Sequence, residues 1–95
     1  MTNAENAVIK LKASNKRWQQ AYDRECEVDS DYRNYDDQGR MKGNARLWLE
    51  AAAARMDVQQ RVFNAVLKEN VNDPEFIELA GREGLLDGLD LEDYQ

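Results

Sequence analysis

Apolar residues in the first third of the chain recur at steps of three and four positions, which is the spacing of one face of an α-helix. Neither Pro nor Gly occurs before Gly39, so the pattern predicts one helix from Thr2 to about Tyr35. Asn15 interrupts the apolar stripe, either to fix the register of a helix pair or because it lies at the edge of the stripe. The stripe consists of Ala4, Ala7, Val8, Leu11, Trp18, Ala21 and Tyr22, continued on a slightly rotated face by Val28, Tyr32 and Tyr35.

The apolar spacing resumes after a polar segment, DDQGRMKG at 36–43, which predicts a turn. The second helix is predicted to begin with Asn44 as its N-cap, or near Arg40, and to run to about Asn70. Its apolar residues form two stripes, and a sector this wide is typical of burial against more than one neighbour. The first stripe is Trp48, Ala52, Met56, Phe63 and Val66, with Leu49 and Leu67 beside it; the second is Leu47, Ala51, Ala54, Val58, Val62 and Ala65.

A third, short helix is predicted at NDPEFIELAG, with Asp73 as the N-cap, Pro74 in the first turn and Gly81 or Gly84 at the end. The expected fold class is all-α: a long antiparallel helical hairpin plus this third helix, in one domain over 1–84, followed by an acidic and hydrophobic tail over 85–95. A hairpin this short cannot cover both stripes of the second helix. The second stripe therefore predicts the interface of a helical-bundle dimer or higher oligomer.

Charge and composition limit the classes of partner and the cell compartment that can be expected for the chain. Its 95 residues carry a net charge of −6, which disfavours direct binding to nucleic acid or to an anionic membrane. The chain contains no run of about 18 apolar residues, so no membrane span is expected. The N-terminus lacks the basic and apolar regions of a signal peptide. Cys26 is the one cysteine and cannot form an internal disulfide, so a cytoplasmic location is expected.

The residue types needed for common catalytic sites are missing. The chain has no His and one Cys, which excludes the usual zinc sites and any nucleophile paired with His. The five glycines match neither phosphate-binding loop pattern. The expectation is a protein that is not an enzyme and needs no cofactor.

Acidic residues are concentrated in two segments. Residues 23–37 hold seven acids and two arginines, and residues 73–95 hold eight acids and one arginine. On a helix, Asp23, Glu27 and Asp31 would form one ridge and Glu25 and Asp29 a second, with repulsion between like charges four residues apart. The segment fails as a calcium-binding EF-hand loop, because Arg33, Asn34 and Arg40 occupy its fifth, sixth and twelfth positions, so no metal site is expected.

Two acidic surfaces, 23–37 and 83–93, are candidate binding surfaces for a basic protein. The alternative for 23–37 is a solvated face that neighbours the basic residues of the second helix, and for the tail it is docking on its own domain. The candidate partner-binding residues are Asp23, Glu25, Glu27, Asp29, Asp31, Tyr32, Tyr35, Asp36, Asp37, Asp87, Asp90, Glu92 and Asp93.

The resulting hypothesis is a binding protein encoded by a phage or mobile element, which inhibits a host defence or nucleic-acid-handling complex. Carboxylates on a rigid helix would imitate the regular negative charge of nucleic acid. One alternative is a helical oligomer that sequesters a nucleotide, because Trp18, Tyr22 and Trp48 are either core anchors or aromatic clamps beside the basic cluster Lys10–Arg17. A structural or assembly subunit is the other alternative.

Overall fold

A computed structural model describes all 95 residues, and it confirms an all-α hairpin with a short third helix. The long helices are α1, Asn3–Ser30, and α2, Gly43–Asn70; α3 is Pro74–Arg82. Two short 3₁₀ turns, Tyr32–Asn34 and Leu91–Tyr94, follow α1 and α3. The chain forms a rod of 56 × 25 × 18 Å. No helix is both long enough and apolar enough to cross a membrane.

The start of α1 is fixed by a reciprocal cap. The Thr2 hydroxyl accepts a hydrogen bond from the Glu5 amide at 3.1 Å, and the Glu5 carboxylate accepts one from the Thr2 amide at 3.1 Å. This capping box satisfies two amides that the first turn leaves without partners. The Thr2 hydroxyl also donates to Glu75 of α3 at 3.2 Å, so the cap ties the start of α1 to the third helix.

Helices α1 and α2 pack through a seam that repeats every seven residues, as in an antiparallel coiled coil. Small residues, Ala or Ser, alternate with larger ones from Ala7 to Glu25 of α1 and from Ala45 to Met56 of α2, and small side chains allow two helix backbones to approach closely. Ser14, Gln59 and Glu25 place polar groups in this seam, and the Ser14 hydroxyl donates to the Leu11 carbonyl at 3.0 Å. The buried or half-buried seam residues are Ala4, Ala7, Leu11, Ser14, Trp18, Ala21, Glu25 and Val28 of α1, and Ala45, Leu49, Ala52, Met56, Gln59, Phe63, Val66 and Asn70 of α2.

The main core lies at the end of the hairpin where α3 crosses it. Phe76 and Ala80 of α3 are fully buried against Leu11 and Leu67 of the long helices. Asp73 caps α3 by accepting from the Glu75 amide at 3.0 Å, with Pro74 in the first turn, as predicted. The helix ends in a Schellman motif: Gly84 has φ +71° and donates to the Gly81 carbonyl at 3.1 Å, and Leu85 donates to the Ala80 carbonyl at 3.1 Å.

The tail folds back on this core. Leu85, Leu86, Leu89 and Tyr94 are half-buried and pack against the core cluster. An exposed ion pair of 3.1 Å between Lys12 and Glu83 joins α1 to the residues just before the tail. The leucines of 85–95 therefore cover part of the hairpin. This arrangement is the alternative expected for the tail, in which it docks on its own domain.

The predicted end of α1 at Tyr35 is wrong, because the helix ends at Ser30. Asp31 has an extended backbone and accepts from the Arg33 amide at 3.0 Å, which starts the 3₁₀ turn. The Asn34 side chain donates to the Val28 carbonyl at 2.8 Å and satisfies one of the last carbonyls of the helix. Short polar side chains that bond to nearby backbone compete with helical hydrogen bonds.

Two further expectations need correction. Helix α2 begins at Gly43 after Lys42, one residue before the predicted N-cap, and no side chain caps it. The proposed core anchors Tyr22 and Trp48 are each 43% exposed, because both lie beside the seam rather than in it. The Trp48 ring instead lies under the Arg24 guanidinium, 5.5 Å from ring centre to Arg24 Cζ.

Candidate functional site: the acidic end of the hairpin

The seven acids of 23–37 lie at the end of the hairpin opposite α3, and we call this segment the acidic end. Its loop is held by local bonds. The Asp36 carboxylate accepts from the amides of Gln38 and Arg40, each at 2.9 Å. Tyr35 and Met41 form an isolated antiparallel bridge, and Lys42 donates to the Asn34 carbonyl at 2.8 Å. The loop is therefore built around its own acidic side chains.

Several of the other acids also have local partners. Glu27 pairs with Arg24 at 3.2 Å, and Asp23 accepts from Gln19 at 3.0 Å. Asp31 pairs with Arg33 at 2.9 Å. The predicted ridge of Asp23, Glu27 and Asp31 is therefore shortened, since Asp31 lies beyond the end of α1, and its like-charge repulsion is partly offset.

Hydrogen bonding shifts two ionisations at the acidic end. The side-chain hydrogen bonds from Arg33, with its backbone amide and positive charge, hold the pKa of Asp31 below its ordinary value. Tyr35 donates its hydroxyl to Asp29 at 2.9 Å, and this bond raises the pKa of the Tyr35 phenol. Both groups are therefore held in the forms they have at neutral pH, a carboxylate and a neutral phenol.

Two features of the acidic end are open to a partner. Tyr32 is 83% exposed and has no side-chain hydrogen bond. At the same end of the hairpin, an open groove between α1 and α2 is lined by three carboxylates, Glu25, Asp29 and Glu50, with Leu49. Sequence reasoning missed Glu50, because its membership depends on how α2 lies against α1. An exposed aromatic side chain beside clustered charge is a common arrangement in protein interfaces.

The acids of the tail are separate from this site. Asp87, Asp90, Glu92 and Asp93 are exposed, but the tail packs on the core at the other end of the hairpin. Asp90 caps the last 3₁₀ turn by accepting from the Glu92 amide at 3.1 Å. The structure therefore does not bring the two sets of predicted partner-binding residues together.

The predicted interface stripe of α2 faces solvent. Leu47 is 64% exposed, Val58 50% and Val62 41%, and the three alanines of the stripe are also exposed. We call these six residues the apolar face of α2. They are Leu47, Ala51, Ala54, Val58, Val62 and Ala65.

A second polar groove lies near the middle of the hairpin. Arg17 and Gln20 of α1 face Arg55 and Gln59 of α2 across Ala21. The Gln59 side-chain oxygen is buried and has no hydrogen-bond partner. The aromatic residues of α1 do not open a slot for a base, because Trp18 and Tyr22 stack on each other with ring centres 5.4 Å apart.

No group of three or more His, Cys, Asp or Glu side chains converges as a metal site would require. Comparison with protein-family models, with the curated proteins and with the solved structures finds no match for this chain.

Proposed function

We propose that this chain is a non-enzymatic binding protein, which uses the acidic end of its hairpin to engage a basic surface on another protein. The observation that carries the proposal is that the exposed Tyr32 and the carboxylate groove of Glu25, Asp29 and Glu50 lie at the same end of the hairpin. Aromatic side chains contribute much of the energy of protein interfaces, and complementary charge increases the rate and specificity of association.

A protein that handles nucleic acid is the partner class that fits this surface best. Such proteins present Lys and Arg to phosphates, and carboxylates at fixed positions offer those cations an alternative partner. Occupation of that surface would block nucleic acid, so the binding would be inhibitory. In its most specific form, the proposal is that the chain is encoded by a phage or mobile element. It would then inhibit a host defence complex or another complex that handles nucleic acid.

The test compares two charge reversals of equal size at opposite ends of the rod. Asp23→Lys with Asp37→Lys changes the acidic end without removing the loop bonds of Asp31 or Asp36. Glu78→Lys with Glu83→Lys makes the same change on α3 and at its C-terminal cap, where exposed ion pairs contribute only about 0–1 kcal/mol each. We expect the first variant to lose a basic partner that the wild type and the second variant retain. Equal retention by both variants would refute the proposal.

Nucleotide binding is a second candidate, supported by the groove of Arg17, Gln20, Arg55 and Gln59. Neither arginine forms an ion pair within the chain, and the buried side-chain oxygen of Gln59 accepts no hydrogen bond. Arginines of this kind bind phosphate groups. ATP should then raise the melting temperature of the wild type, and Arg17→Ala with Arg55→Ala should abolish that rise. An unchanged melting temperature with ATP would exclude this function.

A further inference from the structure

The apolar face of α2 holds three of the large apolar residues that are exposed in the chain, Leu47, Val58 and Val62. Its residues follow one another at steps of four, three, four, four and three positions, so they form one continuous helical stripe. At a rise of about 1.5 Å per residue, the stripe extends over about 27 Å. Single exposed apolar residues are ordinary on a protein surface, whereas a continuous apolar patch marks an interaction site.

The charges beside this stripe have an order that identifies its partner. Glu50, Asp57, Arg61 and Lys68 are exposed and follow one flank of the stripe, at steps of seven, four and seven. Two acids therefore precede two bases along one flank. Read in the opposite direction, the same flank offers two bases and then two acids. It is complementary to itself only when two copies run antiparallel.

From this charge order and the exposed apolar face, we propose that two copies of the chain form a dimer by packing α2 antiparallel on α2, around a twofold axis near residues 58 and 59. Val58 would meet Val58 of the second copy, Ala54 would meet Val62, and Ala51 would meet Ala65. On the flank, Glu50 would face Lys68 of the second copy. Asp57 and Arg61 pair with each other within one chain at 2.6 Å, and this ion pair would lie beside the same pair of the second copy with its charges reversed.

The antiparallel direction is the one in which this flank meets itself. In a parallel pair with a twofold axis along the helices, the flank would face the other flank of the second copy, so its two acids and two bases would not meet each other. The alanines of the stripe allow two backbones to approach closely. The dimer would place its two acidic ends at opposite ends of a four-helix rod, with Glu50 of each acidic groove also on the flank that meets the second copy.

The first test measures mass by light scattering. We expect about 22 kDa, twice the chain mass of 11.0 kDa. Val58→Glu would put two carboxylates against each other at the axis and should give a folded monomer. Ile9→Glu is the matched control, since Ile9 is 51% exposed and Val58 is 50% exposed, and it should remain dimeric. A wild-type mass of 11 kDa, or dissociation by both variants alike, would overturn the proposal.

The second test measures direction by disulfide cross-linking. In a Cys26→Ser background, Ala54→Cys and Val62→Cys proteins are prepared separately and then mixed under mild oxidation. The antiparallel dimer brings residue 54 of one copy to residue 62 of the other, so the mixed disulfide should predominate. A predominant bond between two copies of residue 54 would show a parallel pair, and the absence of any cross-link in a dimeric sample would show a different interface. Either result would overturn the proposal.

Discussion

At the scale of single residues, several acids of the acidic end form local bonds that hold the loop and the end of α1. Asp31 starts a 3₁₀ turn and pairs with Arg33, and Asp36 closes the loop. The sequence shows that these residues are acidic, but their structural roles depend on where α1 ends. Glu25 and Glu50 provide the clearer example, because a residue of α1 and a residue of α2 share one groove only once the helices are packed.

The bond between Asp31 and Arg33 should be visible in the titration of the Asp31 carboxyl group. Because the side-chain hydrogen bonds from Arg33 lower the pKa of Asp31 in the folded chain, its carboxylate stabilises the fold above the unfolded pKa. That contribution is lost as the pH falls through the folded pKa. The Arg33 amide, followed by NMR, should therefore titrate with a midpoint below the ordinary Asp value of 3.8. Asp31→Asn should abolish this titration, and a midpoint at or above 3.8 would contradict the assignment.

Two glycines near the end of α3 should respond in opposite ways to the same substitution. Gly84 has φ +71° at the Schellman motif, where a side chain costs about 1–2 kcal/mol. Gly81 lies within the helix, and a Cβ there would meet nothing within 4 Å. Gly84→Ala should therefore lower the free energy of unfolding by about that amount, while Gly81→Ala should raise it by about 0.5–1 kcal/mol. Urea denaturation measures both, and a loss of stability in Gly81→Ala would contradict this account of the helix end.

At the scale of elements, apolar spacing predicted all three helices, because each has a continuous stripe and recognisable ends. Asp73, Pro74 and Gly84 marked the limits of α3 correctly. The end of α1 was missed by five residues, because neither Gly nor Pro marks it. Two side chains end the helix. Asp31 accepts a hydrogen bond from the Arg33 amide, and Asn34 donates one to the Val28 carbonyl. Such a stop is visible only in three dimensions.

The tail should behave as part of the core. Leu85, Leu86 and Leu89 are packed against it, and a fully buried leucine contributes about 1.5–3 kcal/mol. Deletion of 85–95 should lower the melting temperature by at least about 4–8 °C, the effect of losing one kcal/mol in a domain of this size. Calorimetry measures this, with Asp87→Asn and Asp93→Asn as the control that removes charge but keeps the leucines. An unchanged melting temperature after deletion would mean that the tail does not stabilise the fold.

At the scale of the whole molecule, the structure explains why α2 has two apolar stripes. One packs on α1, and the other, the apolar face of α2, is exposed in the single chain. The sequence predicted this division because α1 is too narrow to cover both. The sequence did not predict that Trp48 lies outside both stripes. Trp48 is next to the seam residue Leu49, and apolar spacing alone does not separate a position within the seam from one beside it. The central claim is that two hairpins pair side by side along this face.

Small-angle X-ray scattering tests that claim most directly, because it reports mass and longest dimension together. One chain is 56 Å long, and an antiparallel pair with its axis near residues 58 and 59 overlaps over nearly its whole length. The account predicts twice the chain mass of 11.0 kDa with a longest dimension close to 56 Å. A particle with the mass of one chain, or a dimer nearly twice as long as the single rod, would contradict it.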